Sequence, residues 1–172
     1  MNEMEILTKK SKQYPTDNGA PTVKVVIEIP RGSFLKKGTN GKLDFVSPLP
    51  CPFNYGSIHD YIGGEGDLLD AVVLGPRIKE GSNIVVLAQG SVGLFERYMY
   101  DDKLICSATP IKPWQRGGIL LFFHFYSFCK GLLNLARGRR GRCYCSGWGS
   151  AKEAISRSIP NHGQWRGPSV PY

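Results

Sequence analysis

The sequence predicts a mainly β fold with α (α+β): short strands curled into a small barrel, followed by one long helix. Three observations carry this. Apolar residues alternate along residues 23 to 29, with Val23, Val25, Ile27 and Ile29 on one face and Lys24 and Glu28 on the other. Compact apolar runs at 71 to 74, 83 to 88 and 91 to 95 are punctuated by Gly75-Pro76, Glu80-Gly81 and Gly90, the spacing of short strands in a closed or strongly curled sheet. The period then changes: Ile119, Phe122, Phe123, Tyr126, Lys130 and Leu133 recur at three and four residues, as on one helix face.

Taken in order, residues 1 to 20 lack periodicity and read as a flexible arm, closing on Asp17-Asn18-Gly19-Ala20 before Pro21. The strand at 23 to 29 ends at Pro30, which has no N–H for a sheet. Gly, Lys and Pro then break the next thirty residues into short strands and turns. After the strands at 71 to 95, an amphipathic helix runs from near Trp114 to Leu135. Residues 151 to 157 form a weaker, shorter helix candidate, and 160 to 172, rich in Pro and Gly, read as a disordered tail. The chain of 172 residues, 41% hydrophobic, suffices for one core, so 21 to 159 is expected to form a single domain.

Composition narrows the setting. The longest apolar stretch, 119 to 128, contains a histidine and a serine and falls short of the roughly 18 residues of a membrane span. The first twenty residues do not resemble a signal peptide, so the expected location is cytoplasmic, with no membrane partner. Five scattered cysteines fit reduced thiols, and the Cys143-x-Cys145 pair lacks a second pair to complete a zinc site. The net charge of +8 is uneven: residues 1 to 128 hold 14 basic against 13 acidic side chains, residues 129 to 172 hold 8 against 1. The densest basic run, Arg137-Gly138-Arg139-Arg140-Gly141-Arg142, is either a solvated turn after the helix or a polyanion-binding segment.

The chemistry concentrates in Glu65-Gly66-Asp67-Leu68-Leu69-Asp70. Three carboxylates at this spacing repel one another unless cations neutralise them, and oxygen-only ligands suit hard divalent ions such as Mg²⁺, Mn²⁺ or Ca²⁺. A solvated acidic turn has the same composition.

The loop's company separates these readings. Ile27-Glu28-Ile29-Pro30-Arg31-Gly32-Ser33, Pro52-Phe53-Asn54-Tyr55-Gly56, the Gly-Asp-x-x-Asp loop, Asp101-Asp102-Lys103 and the late Gly147-Trp148 stand in the same order as in soluble, metal-dependent (family I type) inorganic pyrophosphatases. The chain resembles a divergent member of that family from about residue 23 to residue 148. The resemblance implies a small closed, OB-like barrel flanked by a long C-terminal helix and a shorter one, and Mg²⁺-dependent hydrolysis of pyrophosphate to two phosphates by metal-activated water. Mn²⁺ is the expected substitute, and a homo-oligomer the expected assembly. By position, the resemblance makes Glu65, Asp70, Asp101, Glu96 and Glu28 metal-linked carboxylates, and Asp67 the group that orients or deprotonates the attacking water. Lys36, or Lys37 by a one-residue shift, with Tyr55, Lys103 and Tyr126, would hold phosphate oxygens or support the metal site. Tyr126 also fits a core position on an apolar helix face.

The departures thin the phosphate-binding shell. Glu65 and Glu96 stand where aspartate is usual, Gly38 where glutamate is usual, Phe45 where a phosphate-binding arginine is usual, Cys51 for a tyrosine, and Ser127 for the lysine after the helix tyrosine, with Lys130 one turn on. The expected function is therefore an inorganic diphosphatase, active or weakly active. The alternative is a catalytically weakened relative that binds nucleic acid or another polyanion through its basic C-terminal region.

Overall fold

A computed structural model of the chain describes residues 19–37, 43–46, 50–96, 98–136, 138 and 141–167, with the backbone alone for 35–37 and 43–46. The first strand, β1 (Thr22–Ile29), has the expected alternation, burying Val23, Val25, Ile27 and Ile29. β2 (Leu35–Lys37) and β3 (Leu43–Val46) pair with each other, placing Lys36 opposite Phe45. β4 (Asn54–Ile62), β5 (Leu68–Val73), β6 (Asn83–Glu96), β7 (Met99–Cys106) and β8 (Cys143–Gly149) build the main sheet. A two-residue strand, β9 (Ile159–Pro160), pairs with the end of β4.

The sheet closes on itself. β1 pairs antiparallel with β4 on one side and with β6 on the other, so the order β1-β4-β5-β7-β6 returns to β1 as a five-stranded ring. β5 and β7 run parallel and the other neighbours antiparallel. Inside lies a cluster drawn from all five strands, including Val25, Ile27, Ile58, Ala71, Val86 and Leu104. The short helix α2 (Ala151–Arg157) adds Ala151 and Ala154 to it. A second cluster takes the alternate residues Val72, Val92, Leu94 and Ile105 and lies outside the ring, under the long helix α1 (Pro113–Ala136), which contributes Ile119 and Phe123. The strands of this side are therefore buried on both faces, which is why they read as continuous apolar runs.

Three expectations are corrected. The runs at 83 to 88 and 91 to 95 are one strand, β6, bent where its register with β7 shifts between Ala88 and Gly90. On α1 the side chains buried most deeply are Ile119, Phe123, Ser127 and Asn134, whereas Leu133 is exposed. And α1, at mean hydropathy 1.4 over its most apolar window, is long and apolar enough to cross a membrane by length and composition, although its inner side packs on β6 and β8. At the chain end, Asn161 donates its backbone N–H to the Asp60 carbonyl (2.8 Å) and its side-chain amide to the His59 carbonyl (2.8 Å), tying residues after Pro160 to β4. The arm up to residue 18, Gly38, and the final residues 168–172 lie outside the described residues.

Candidate metal and phosphate site

The acidic residues converge because strand register brings them together. In the parallel β5–β7 pair Asp70 lies beside Lys103, and Asp101 is two residues away on the same face of β7. Lys103 donates to Asp70 Oδ2 and Asp101 Oδ1, one ammonium linking two carboxylates in a site where it and Asp101 are buried. Burial pulls the lysine pKa down, but the charges of Asp101 and then Asp70 dominate and hold it well above its ordinary value. Burial likewise opposes ionisation of Asp101, and Lys103 more than offsets it, keeping this carboxyl below its usual range.

Glu65 enters from the β4–β5 turn. Gly63 donates to the Asp67 carbonyl (2.7 Å) and Gly66, in the left-handed region at φ 83°, donates to the Gly63 carbonyl (3.0 Å). A side chain on Gly64 would stand 2.8 Å from the Tyr100 carbonyl, so glycine lets this turn approach β7 closely. Glu65 is pushed up to about 8, first by burial and then by the charge of Asp101, to which it is hydrogen-bonded.

Glu96, at the end of β6, completes the group: one carboxylate oxygen each from Glu65, Glu96 and Asp101 lies within 4.8 Å of the others. Glu96 pairs with Lys130 and accepts from Asn134 Nδ2 (3.3 Å), both from the inner side of α1. Burial raises its pKa, and Lys130 with Asn134 brings it below the ordinary value. Three oxygen donors this close, one of them held back from ionising by burial and by the charge of Asp101, suit a hard divalent cation.

Of the other expected residues, Tyr55 on β4 is at the site: Lys103 Nζ lies 5.9 Å from its ring centre, and burial followed by the charge of Asp70 raises its pKa. Tyr126 lies at its edge, its ring packed on Phe122 and Phe123, with Lys130 Nζ 5.7 Å from the ring centre. It is thus both a core-edge residue and a neighbour of the ionic cluster. Asp67 sits in the same turn, its Oδ1 accepting from the Leu68 N–H (3.0 Å), outside the three-oxygen group. Glu28 is held on the neighbouring strand, accepting from Ser57 Oγ (2.6 Å), and Ser57 faces Asp70 across β4–β5. Lys36, Lys37 and Phe45 are on β2 and β3, with side chains outside the described residues, as are Arg137, Arg139 and Arg140 of the basic run.

Several supports had no sequence signal. Asn134 and Ser57 reach the cluster only through the return of α1 and the β4–β5 register. Asp102, next to the cluster, points elsewhere and accepts two hydrogen bonds from the Arg157 guanidinium (2.9 and 3.1 Å), fastening α2 to β7. Trp148 of the late Gly-Trp pair packs against β6 at Gly90: a Cβ there would meet its ring at 2.4 Å, so only glycine at position 90 accepts the indole.

Comparison with known proteins places this arrangement. A family model described as inorganic pyrophosphatase matches residues 25–116, more than half of the chain. An inorganic pyrophosphatase of Sulfolobus acidocaldarius is 30% identical over 168 residues, covering 85% of this chain and 92% of its own. Among solved structures, the inorganic pyrophosphatase of Thermus thermophilus superposes with a TM-score of 0.65 at 25% identity, over 86% of this chain and 94% of that one. The inorganic pyrophosphatase of Helicobacter pylori superposes with a TM-score of 0.64 at 22% identity, over 84% and 94%.

Proposed function

Since the chain belongs to the inorganic pyrophosphatase family, we propose that this diphosphatase hydrolyses pyrophosphate to two phosphates with Mg²⁺, or Mn²⁺ in its place, in the cytoplasm. The observation that carries the metal assignment is the three-oxygen group of Glu65, Glu96 and Asp101 beside the Asp70–Lys103 pair. These carboxylates, with Asp70, would hold the cation. When bound, it supplies positive charge to phosphate oxygens and acidifies a coordinated water.

The chain's own residues do the rest. Asp67, held by its turn and outside the three-oxygen group, would orient the attacking water and take its proton. Lys103, Tyr55 and Tyr126, together with Lys36, present cationic and hydroxyl groups to phosphate oxygens, stabilising charge as it moves to the leaving phosphate. Glu28, fixed by Ser57, adds negative charge behind Asp70. Lys130, paired with Glu96, stands one turn beyond the buried Ser127. The glutamates at 65 and 96 carry one methylene more than the aspartates usual there, and a preorganised site is sensitive to shifts of about an ångström; turnover is therefore reduced relative to aspartate-bearing relatives.

Purified protein should release phosphate from pyrophosphate only when Mg²⁺ or Mn²⁺ is present, and Asp67→Asn should lose at least about a hundredfold in that rate, the usual worth of a general base. Background release with both metals would refute the proposal.

A further inference from the structure

The strands that carry Glu96 and Asp101 have a second face. Glu96, Asp101 and Lys103 lie on the side of the outer cluster and α1, so Phe95, Tyr100 and Asp102, the alternate residues, point to the opposite side. There the register sets three rings in a row, with Phe95 of β6 between Tyr100 of β7 and Tyr144 of β8. Phe95 stacks on Tyr144, ring centres 5.2 Å and planes 29° apart, and meets Tyr100 edge-on at 5.4 Å. β1 pairs only with residues 83–87 of β6, so this end of the sheet runs past the ring. The outer members of the row stay open, Tyr100 at 50% exposure and Tyr144 at 46%. Beside them, Tyr98, Met99, Tyr100, Asp102, Arg157 and Gly64 line a cavity of about 370 Å³. Tyr98 is the most exposed of these rings and sits at a positive φ, a cost that packing does not offset and that points to a ligand.

We propose that this row is a stacking platform for single-stranded nucleic acid. Rings set side by side on adjacent strands accept bases by their faces whatever the sequence, and cations at the border hold the phosphates. The charge fits such a ligand. Of the described residues that these three strands turn to this face, Asp102 alone is acidic, and it is taken up by Arg157, whose guanidinium lies 5.8 Å from the Tyr100 ring centre. Arg142 is exposed two residues before Tyr144. From residue 129 onward the chain holds 8 basic side chains against 1 acidic, Glu153 on α2. Three strands span about 10 Å, room for two or so bases of an open strand, and the cavity beside Tyr98 takes a further base where the strand leaves the row. A duplex keeps its base faces stacked on one another and cannot use the rings. Recognition therefore rests on the rings rather than on the basic run, and it leaves the acidic face of the same strands free.

Fluorescence anisotropy of labelled oligothymidylate and oligouridylate, each about 12 nucleotides long, tests this on the full chain. A chelator is present throughout, so that no metal bridges phosphate to the acidic group. Both strands should bind, a duplex of equal length should compete at least about tenfold more weakly, and Tyr100→Ala/Tyr144→Ala should weaken binding at least about tenfold with unchanged circular dichroism. If that variant fails to fold, Tyr98→Gly, which removes a ring while relaxing its backbone, should still weaken binding at least about threefold. Absence of binding at about 50 mM salt overturns the proposal. So does a duplex that competes as well as the single strand, or an affinity indifferent to the folded variants, since the arginines alone would then be attracting a polyanion. Full competition by thymidine monophosphate at the same nucleotide concentration overturns it too, because the site would then hold one nucleotide rather than a strand.

Discussion

Lys103 occupies the place of a cation in its own site. It neutralises Asp70 and Asp101 where water cannot, and removing one member of a buried ionic group leaves the others uncompensated. Lys103→Met should therefore cost about 3–5 kcal/mol in urea unfolding measured with a chelator. Millimolar Mg²⁺ should return part of that loss in the variant, because a divalent ion takes over the neutralisation; an equal loss with and without the ion would show the lysine to be a packing element only. Cys106 tests burial in another way. Its thiol is wholly buried and pushed up from 9.0 to about 12. The folded state thus holds a proton that the unfolded chain releases, so this contribution is intact below pH 9 and lost as pH rises from 9 through 12, up to about 4 kcal/mol. Cys106→Ala should flatten the alkaline side of the stability–pH curve, and native-state alkylation should mark exposed Cys129 while sparing Cys106. The carboxylates of this site were legible in the chain because loop and motif order carry them. Two of their supports were not: Ser57 and Asn134 become neighbours of Glu28 and Glu96 through register and helix return, to which local composition is blind.

Backbone conformation decides what each element tolerates. Tyr98, in the β6–β7 turn, has φ 75° and is 78% exposed, so it bears the cost of a left-handed conformation with little packing to offset it. Tyr98→Gly should raise stability by roughly 0.5–1 kcal/mol in thermal or urea unfolding; a decrease would mean that the ring makes contacts worth more than the strain. The opposite holds at Gly56, where β1 crosses β4 so closely that a Cβ would lie 2.0 Å from the Val26 carbonyl oxygen. At element scale the alternation of β1 and the helical period of α1 were plain in the sequence. β6 was not, because Gly90 reads as a strand breaker although here it marks a bulge that admits Trp148. The inner face of α1 was blurred for a different reason: both of its sides are apolar, so periodicity found the helix and misplaced Leu133.

At the scale of the whole molecule, β1 is the strand whose two partners close the ring, and the closed ring separates two apolar clusters with different duties. The inner cluster collects side chains from every ring strand, so a cavity there weakens everything at once. The outer cluster joins α1 to the ring, so a cavity there loosens the helix that brings Tyr126 and Lys130 to the acidic group. Leu104→Ala and Phe123→Ala remove comparable buried volume, from 0% and 2% exposed positions, and each should cost about 2–5 kcal/mol. Their signatures should differ. In Leu104→Ala, hydrogen exchange should rise evenly over β1, β4, β5, β6 and β7, and the phosphate-release rate below the melting transition should stay near that of the parent. In Phe123→Ala, exchange should rise first in residues 113–136 while the ring strands remain protected, and turnover should fall at temperatures where the ring is still folded. Matching exchange profiles would mean that helix and ring unfold as one unit, and that the geometry of the ionic cluster is set by global stability rather than by how α1 is seated.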